Sequence, residues 1–156
     1  MNLEQQQQDL IAQAATYGVP TEAMRTIVAT LTKAADQFRH QLYYIPQSLD
    51  NEWVVTTLSH RERPTQEKQV VYAFADLNDV TVKALGSDDL QLVARPMPLL
   101  HILFQMFALP TIDSVIFMDT PGNIATGIEV PRADIQSLIQ QCLRQWQAKQ
   151  VPSDIA

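Results

Sequence analysis

Three histidines are the first residues to consider for chemistry, because imidazole serves both as a metal ligand and as an acid or base. His40, His60 and His101 match no short metal-binding spacing, and no carboxylate lies at a zincin-like offset from any of them. Only His101 lies in an apolar segment, four residues before Gln105. We interpret it as a core or boundary histidine, with a polar seam, a dimer contact or a pocket as the alternative.

The single cysteine, Cys142, lies at helical spacing from Leu138, Ile139 and Trp146. A catalytic thiol needs an electropositive, partly exposed position, so we interpret this one as structural. One cysteine also excludes an intramolecular disulfide and a cysteine-cluster metal site. The chain contains no Gly-x-Ser-x-Gly nucleophile elbow. We therefore predict no catalytic residues, no metal ligands and no cofactor, and we do not expect an enzyme.

The strand-like run Val-Ile-Phe-Met at 115–118 leads into Asp-Thr-Pro-Gly at 119–122. This pattern resembles the second magnesium-and-phosphate motif of translation-type GTPases. That chemistry also requires a Gly-x-x-x-x-Gly-Lys-Ser/Thr loop for the phosphates, and none of the four glycines lies in one. Pro followed by Gly is also typical of a type II turn, so we interpret 119–123 as a hairpin turn.

The composition indicates one folded domain. The chain has 156 residues, of which 46% are hydrophobic and 18% charged, and we assign 1–150 to a single domain with a loose tail at 151–156. A net charge of −6 disfavours binding to nucleic acid or to an anionic membrane surface. No secretory signal and no apolar run long enough for a membrane span is found, so we expect a cytoplasmic protein without membrane insertion.

Hydrophobic periodicity predicts an α+β fold, with an antiparallel sheet of about five strands packed against helices in the order α-α-β-β-β-α-β-β-α. The N-terminal helix, within 1–18, is rich in glutamine, and we expect it to fray. Connectors are expected at 43–51, 60–68 and 86–89. The helices are predicted at 3–17, 21–42, 97–109 and from 131 onward. The strands are predicted at 53–58, 69–75, 80–94 (one bent strand or a small hairpin), 112–118 and 124–130.

The helix at 97–109 organises this prediction. Pro98 favours its first turn and Pro110 its end, and only His101 and Gln105 are polar, so most of its surface must be buried. On a one-layer sheet such a helix leaves one side to cover, which makes it the predicted dimer seam. Large apolar residues elsewhere either complete the core or extend this interface. The possible interface residues are Met97, His101, Phe104, Gln105, Trp53 and Trp146.

The element order over about residues 21–149, with the small size and acidity, resembles class I type III secretion chaperones and the related YbjN-like proteins. This resemblance implies a cytosolic α+β protein that dimerises and binds partner polypeptides without catalysis. The helix at 3–17 is additional to that order, and no binding residues are transferred.

Three functions follow as hypotheses. The first is a non-enzymatic protein-binding or chaperone-like module, expected to be a homodimer. The second is a small-molecule binder or small enzyme with a pocket near His101. The third is an accessory subunit of a larger complex.

Overall fold

One sheet and five helices make up the part of the chain that the structure describes. This computed structural model describes residues 2–60, 63–84, 93–123 and 127–150, with the backbone alone at 60, 63–66, 81–84 and 149–150. The helices are α1 (Leu3–Ala12), α2 (Thr21–Ala35), α3 (Leu77–Ala84), α4 (Leu99–Ala108) and α5 (Arg132–Gln150). The strands are β1 (Leu42–Gln47), β2 (Thr56–His60), β3 (Arg63–Phe74), β4 (Val93–Pro98), β5 (Ser114–Met118) and β6 (Ile128–Pro131).

The predicted α+β class is confirmed, with a mixed sheet. Its strand order is β4-β1-β3-β5-β6, and β2 pairs with β3 outside this path. The sheet therefore has six strands instead of about five. Strands β3 and β5 are parallel, in the register Val71 to Val115, while the other pairs are antiparallel. Parallel neighbours need a long crossover, and here the connection carries α3, β4 and α4.

The two faces of the sheet bury different amounts of apolar surface. The main core lies under α1, α2, α4 and α5, where Tyr43, Ala73 and Phe117 are fully buried with the apolar sides of these helices. A smaller cluster on strands β3 and β5 joins Phe74 and Met118 to Val80 of α3. The helical layer on the first face therefore contains most of the buried apolar surface and positions the candidate site.

The prediction for residues 36–51 was wrong in its boundaries. Helix α2 ends at Ala35 rather than at residue 42, and the predicted connector contains strand β1. The four-residue step from Phe38 to Leu42 extended the apparent helical period. The same stretch also alternates, however, since Tyr43 and Ile45 are fully buried while Tyr44 is half-buried. Pairing with β3 and β4 stabilises the strand.

The predicted strand at 80–84 is instead part of helix α3. The carboxylate of Asp76 accepts the amide of Asn78 at 2.9 Å, a helix-capping contact, and Asp79 lies in the first turn. A short run with apolar residues at every second position fits either period, and the packing of Val80 against the sheet favours the helix. The predicted turn at 86–89 lies outside the described residues, as do residues 90–92 of the predicted strand, 124–126 of the predicted hairpin arm and the tail at 151–156.

The predicted loop at 60–68 is wrong for its described residues, since 60 belongs to β2 and 63–68 belong to β3. Strand β2 pairs with the first half of β3, from Thr56 opposite Val70 to His60 opposite Arg63. The strand predicted at 53–58 accordingly starts later, at Thr56. The paired part of β2 and β3 is rich in polar residues, and Glu67 and Lys68 on it are exposed, so it buries little apolar surface. Its composition is typical of a loop, and for this reason the sequence did not predict the strands.

The predicted helix at 97–109 is confirmed over Leu99–Ala108, whereas Met97 belongs to strand β4. Helix α4 packs against α1, α2 and α5 of the same chain. All of its residues from Leu99 to Phe104 are buried. Only the last turn of α4 is open, with Phe107 half-buried and Ala108 exposed, so the helix has no uncovered side along its length, and a homodimer remains a prediction.

Contacts between side chains hold the end of the sheet together. The Ser114 hydroxyl donates to a carboxylate oxygen of Glu129 at 2.6 Å, and the Lys68 ammonium pairs with the same oxygen. The Lys68 and Ser114 hydrogen bonds lower the pKa of Glu129. Strands β3, β5 and β6 are thereby linked by charge as well as by backbone pairing. Within the described residues, no helix is both long and apolar enough to cross a membrane.

Candidate functional site

An apolar pocket opens on the helical layer where the α1–α2 connector meets α4 and α5. Its volume is about 400 Å³, within the range of ordinary ligand sites. Four aromatic side chains contribute to its wall: Tyr17 from the connector, Phe104 and Phe107 from α4, and Trp146 from α5. We call it the aromatic pocket. Among the described residues that line it, none is acidic, basic or histidine, and the pocket suits an apolar group.

Local sequence signals place these walls. Gly18 adopts a positive φ of 71°, which favours glycine, and the Val19 amide donates to the Ala14 carbonyl at 2.9 Å. The chain then turns into α2 at Pro20. In α5, the spacing of three and four residues brings Leu143 and Trp146 to the same side of the helix.

Gln147 adds an exposed side-chain amide to the pocket lining, and Trp146 carries an indole N–H that is buried without a partner among the described residues. Its Nε1 atom is fully covered, and no acceptor of the described chain meets it. The hydroxyl of Tyr17, by contrast, donates to the Gln13 side chain at 3.2 Å, and the Tyr17 ring lies 4.9 Å from the Phe104 ring. The pocket lining is therefore mostly apolar, with the Gln147 side-chain amide at its edge, while the indole N–H of Trp146 is covered by the chain.

His101 lies one turn before Phe104 on α4, outside the aromatic pocket. Its Nε2 atom lies 2.6 Å from a carboxylate oxygen of Asp9 on α1, and its Nδ1 atom is buried without a partner in the described chain. The residue is only 8% exposed. His101 thus forms part of a polar seam inside the chain, consistent with its interpretation as a boundary histidine, and it does not line the pocket.

Gln6 extends the same seam. Its side chain is fully buried, donates to the Gln41 carbonyl at 2.8 Å, and accepts the Leu100 amide at 2.9 Å. The Leu100 amide belongs to the first turn of α4, where backbone donors lack partners within the helix. Gln6 therefore joins α1 to the start of both α4 and β1. Helix α1, expected to fray, also begins with a capping box formed by Asn2 and Gln5.

Asp119, at the end of β5, is the centre of a second polar cluster. The fully buried Tyr43 donates its hydroxyl to one carboxylate oxygen, and the Arg39 amide donates to the carboxylate at 3.3 Å. The His40 Nε2 atom lies 3.0 Å from the Asp119 carbonyl. Burial raises the pKa of Tyr43. The hydrogen bond that Tyr43 donates to Asp119, and the negative charge of Asp119, raise this pKa further. A polar cavity of about 290 Å³ adjoins Asp119, Arg39 and Thr120.

The turn after Asp119 has the predicted geometry. The Asn123 amide donates to the Thr120 carbonyl at 3.1 Å, and Gly122 has a φ of 83°, as position three of a type II turn requires. The Gly122 amide donates to the Asp79 carboxylate at 3.0 Å. Asp119 and Asp79 therefore stabilise the turn that follows β5, and the hairpin-turn interpretation of 119–123 accounts for this motif.

The six possible interface residues fall into separate places. Phe104 and Trp146 meet at the aromatic pocket, whereas His101 lies in the seam. The Met97 sulfur accepts a hydrogen bond from the Gln47 side chain at 3.3 Å. The backbone of Gln47 also forms an isolated antiparallel β-bridge with Trp53. Gln105, half-buried on α4, lines neither the pocket nor the cavity beside Asp119.

Sequence reasoning did not assign the connector residues Tyr17 and Val19 to a site. The one feature of the sequence that could have indicated a site here is the position of Tyr17, an aromatic residue directly before Gly18. Among the described residues, no group of three His, Cys, Asp or Glu side chains is placed to hold a metal ion. Cys142 is buried and accepts the Thr30 hydroxyl at 3.5 Å.

The comparisons with known proteins leave the family of this chain open, since it matches no known protein family and no curated protein sequence.

Proposed function

We propose that this chain is a non-enzymatic, chaperone-like protein-binding module of the cytoplasm, and that a partner polypeptide inserts an apolar side chain into the aromatic pocket. The observation that carries the proposal is the pocket itself, which has a volume of about 400 Å³, opens at the surface and has four aromatic side chains in its lining. Aromatic residues are enriched where protein interfaces gain most of their binding free energy.

The chemistry of the pocket supports binding over catalysis. Its lining offers apolar contact, while His101 Nε2 and the Asp119 carboxylate lie outside it and are engaged by contacts within the chain. The pocket is also preformed in the single chain by the α1–α2 connector and helices α2, α4 and α5, so binding would require little ordering of the protein. A second copy of this chain is one possible partner, in keeping with the predicted homodimer.

The test is capture of partners from native cytosol by a tagged chain, with Ala108→Trp as the pocket-filling variant. Ala108 is exposed at the end of α4 and lines the pocket, so an added indole blocks the opening without entering the core. We expect recovery of bound polypeptide to fall roughly thirtyfold or more, as for a hot-spot residue.

The matched control is Gln141→Trp, which places the same side chain on the exposed opposite side of α5. It should capture as well as the unmodified chain. Equal recovery by all three proteins, measured by mass spectrometry at equal stability, would contradict the proposed function. A concentration-dependent dimer lost only in Ala108→Trp would identify the partner as a second copy.

A further inference from the structure

A row of hydrogen-bonded side chains joins His101 to the wall of the aromatic pocket. The Nε2 atom of His101 lies 2.6 Å from a carboxylate oxygen of Asp9. The side-chain amide nitrogen of Gln13 donates to both oxygens of that carboxylate at 3.2 Å. The side-chain oxygen of Gln13 accepts the hydroxyl of Tyr17 at 3.2 Å, and Tyr17 lines the pocket. His101, which lies outside the pocket, is therefore three contacts away from a residue of its wall.

The carboxylate of Asp9 sets the direction of these hydrogen bonds. An ionised carboxylate has acceptors only, so the amide of Gln13 must turn its nitrogen toward Asp9 and its oxygen toward Tyr17, which donates. The His101 ring likewise presents an Nε2 proton to Asp9, and its Nδ1 atom has no partner in the described chain. The contact with Asp9 is therefore the hydrogen bond that orients the ring, and a change at either end of the row alters the hydrogen bonds in between.

The same two helices meet at both ends of this row. Asp9, Gln13 and Tyr17 are spaced four residues apart, and the Tyr17 amide still donates to the Gln13 carbonyl at 3.3 Å, so all three lie on one side of α1 and its continuation. On α4, His101 contacts this side through Asp9, and Phe104 contacts it through the Tyr17 ring at 4.9 Å. The position of Tyr17 at the pocket thus depends on the same helix contact that His101 makes with Asp9.

We infer that Asp9 and Gln13 are positioning residues, which hold Tyr17 in the pocket wall and couple the aromatic pocket to His101. This inference rests on the proposed function and adds how the chain regulates its own binding site. A wall that is held in place before binding costs the occupant little ordering, so a break in the row should weaken binding. Coupling is also reciprocal, so an occupant that shifts Tyr17 must change the environment of His101.

The first measurement is the affinity of the pocket for ethylbenzene, an apolar probe without hydrogen-bonding groups, by NMR titration. Asp9→Asn allows the amide of Gln13 to turn over, because asparagine offers a donor where the carboxylate offers none. We expect binding about two- to tenfold weaker, the contribution of one hydrogen bond. Tyr17→Phe keeps the ring and removes the other end of the row, so it should weaken binding equally, with no further loss in the double variant.

Glu4→Gln is the matched control, since it removes the same charge from an exposed position of α1. It should leave the affinity for ethylbenzene unchanged. Because Asp9 does not line the pocket, a merely structural role would lower the stability in urea and leave the affinity of the folded protein unchanged. That outcome, or additive losses of affinity in the double variant, would overturn the inference.

The second measurement follows the imidazole ¹⁵N signals during the same titration. The His101 signal should move with occupancy of the pocket, while the signal of His40, which contacts the Asp119 carbonyl outside the pocket, should stay in place. In Tyr17→Phe the probe should bind without moving the His101 signal, although Phe104, one turn away on α4, is unchanged. An equal shift of the His101 signal in Tyr17→Phe would mean that the occupant acts by proximity alone, and would overturn the coupling.

The two proposals fail separately. If ethylbenzene binding depends on Asp9 but no polypeptide is captured from cytosol, the coupling stands and the proposed function is wrong. If Asp9→Asn captures a partner as well as the unmodified chain does, the proposed function stands and the coupling is wrong. A pocket that binds neither ethylbenzene nor a partner contradicts both proposals.

Discussion

Replacing Asp119 by alanine is expected to lower the free energy of unfolding by about 2–4 kcal/mol. The substitution removes the acceptor of the Tyr43 hydroxyl, which lies on a fully buried side chain, and of the Arg39 amide. Hydrogen bonds to a charged acceptor are worth more than neutral ones, and the orphaned hydroxyl adds its desolvation cost. Urea unfolding measures the change, with an unchanged slope confirming that the native state is intact.

Tyr43→Phe is the matched variant, because it removes the donor and keeps the ring among its aromatic neighbours Phe38 and Phe117. We expect a loss of about 1–2 kcal/mol and, in the double variant, less than the sum of the two single losses. The exposed Arg39 guanidinium, 3.9 Å from Asp119, contributes little and is left unchanged. A loss below about 0.5 kcal/mol for Asp119→Ala would contradict the structural role of this cluster.

Replacing Gln6 by leucine is expected to cost about 1–3 kcal/mol, although leucine is the more apolar residue at a fully buried position. The Leu100 amide would lose its acceptor inside the protein, and of the two polar links between α1 and α4 only that from Asp9 to His101 would remain. Hydrogen exchange should show the amides of α1 opening first, before those of α4.

Gln8→Leu is the control, since residue 8 lies on the exposed side of the same helix. That substitution should change the stability by less than about 0.5 kcal/mol, as for other surface positions. If Gln6→Leu were neutral or stabilising, the buried amide would not be the contact that fixes α1, and burial of Leu10 with the Asp9–His101 contact would account for its position.

The long amphipathic segments were predictable, and the short ones were not. Helices α2 and α5 follow from local spacing, because each buries one side over several turns, and α4 follows from a run of residues that is apolar on nearly all sides. Strand β1 and helix α3 depend on partners far along the chain: Tyr44 pairs with Phe74, and Val80 packs on Met118. Local patterns cannot specify such contacts, and the parallel pairing of β3 with β5 is of the same kind.

The candidate site was predictable only in part. Excess aromatic residues indicated an interface, and two of the six proposed residues, Phe104 and Trp146, lie in the aromatic pocket. That both residues line the same pocket depends on how α4 packs against α5, and this packing cannot be predicted from local sequence. The seam was harder to foresee, because a run of four glutamines gives no sign that Gln6 alone is buried.

Site-specific photo-crosslinking in native cytosol tests the central claim, that the aromatic pocket binds a polypeptide, most directly. Phe107→p-azidophenylalanine keeps the aromatic ring in the pocket wall, and Tyr44→p-azidophenylalanine provides a half-buried control on the other side of the sheet. We predict a discrete polypeptide adduct from position 107 alone, lost when Ala108→Trp is added. Adducts of equal yield from both positions, or from neither, would contradict the claim.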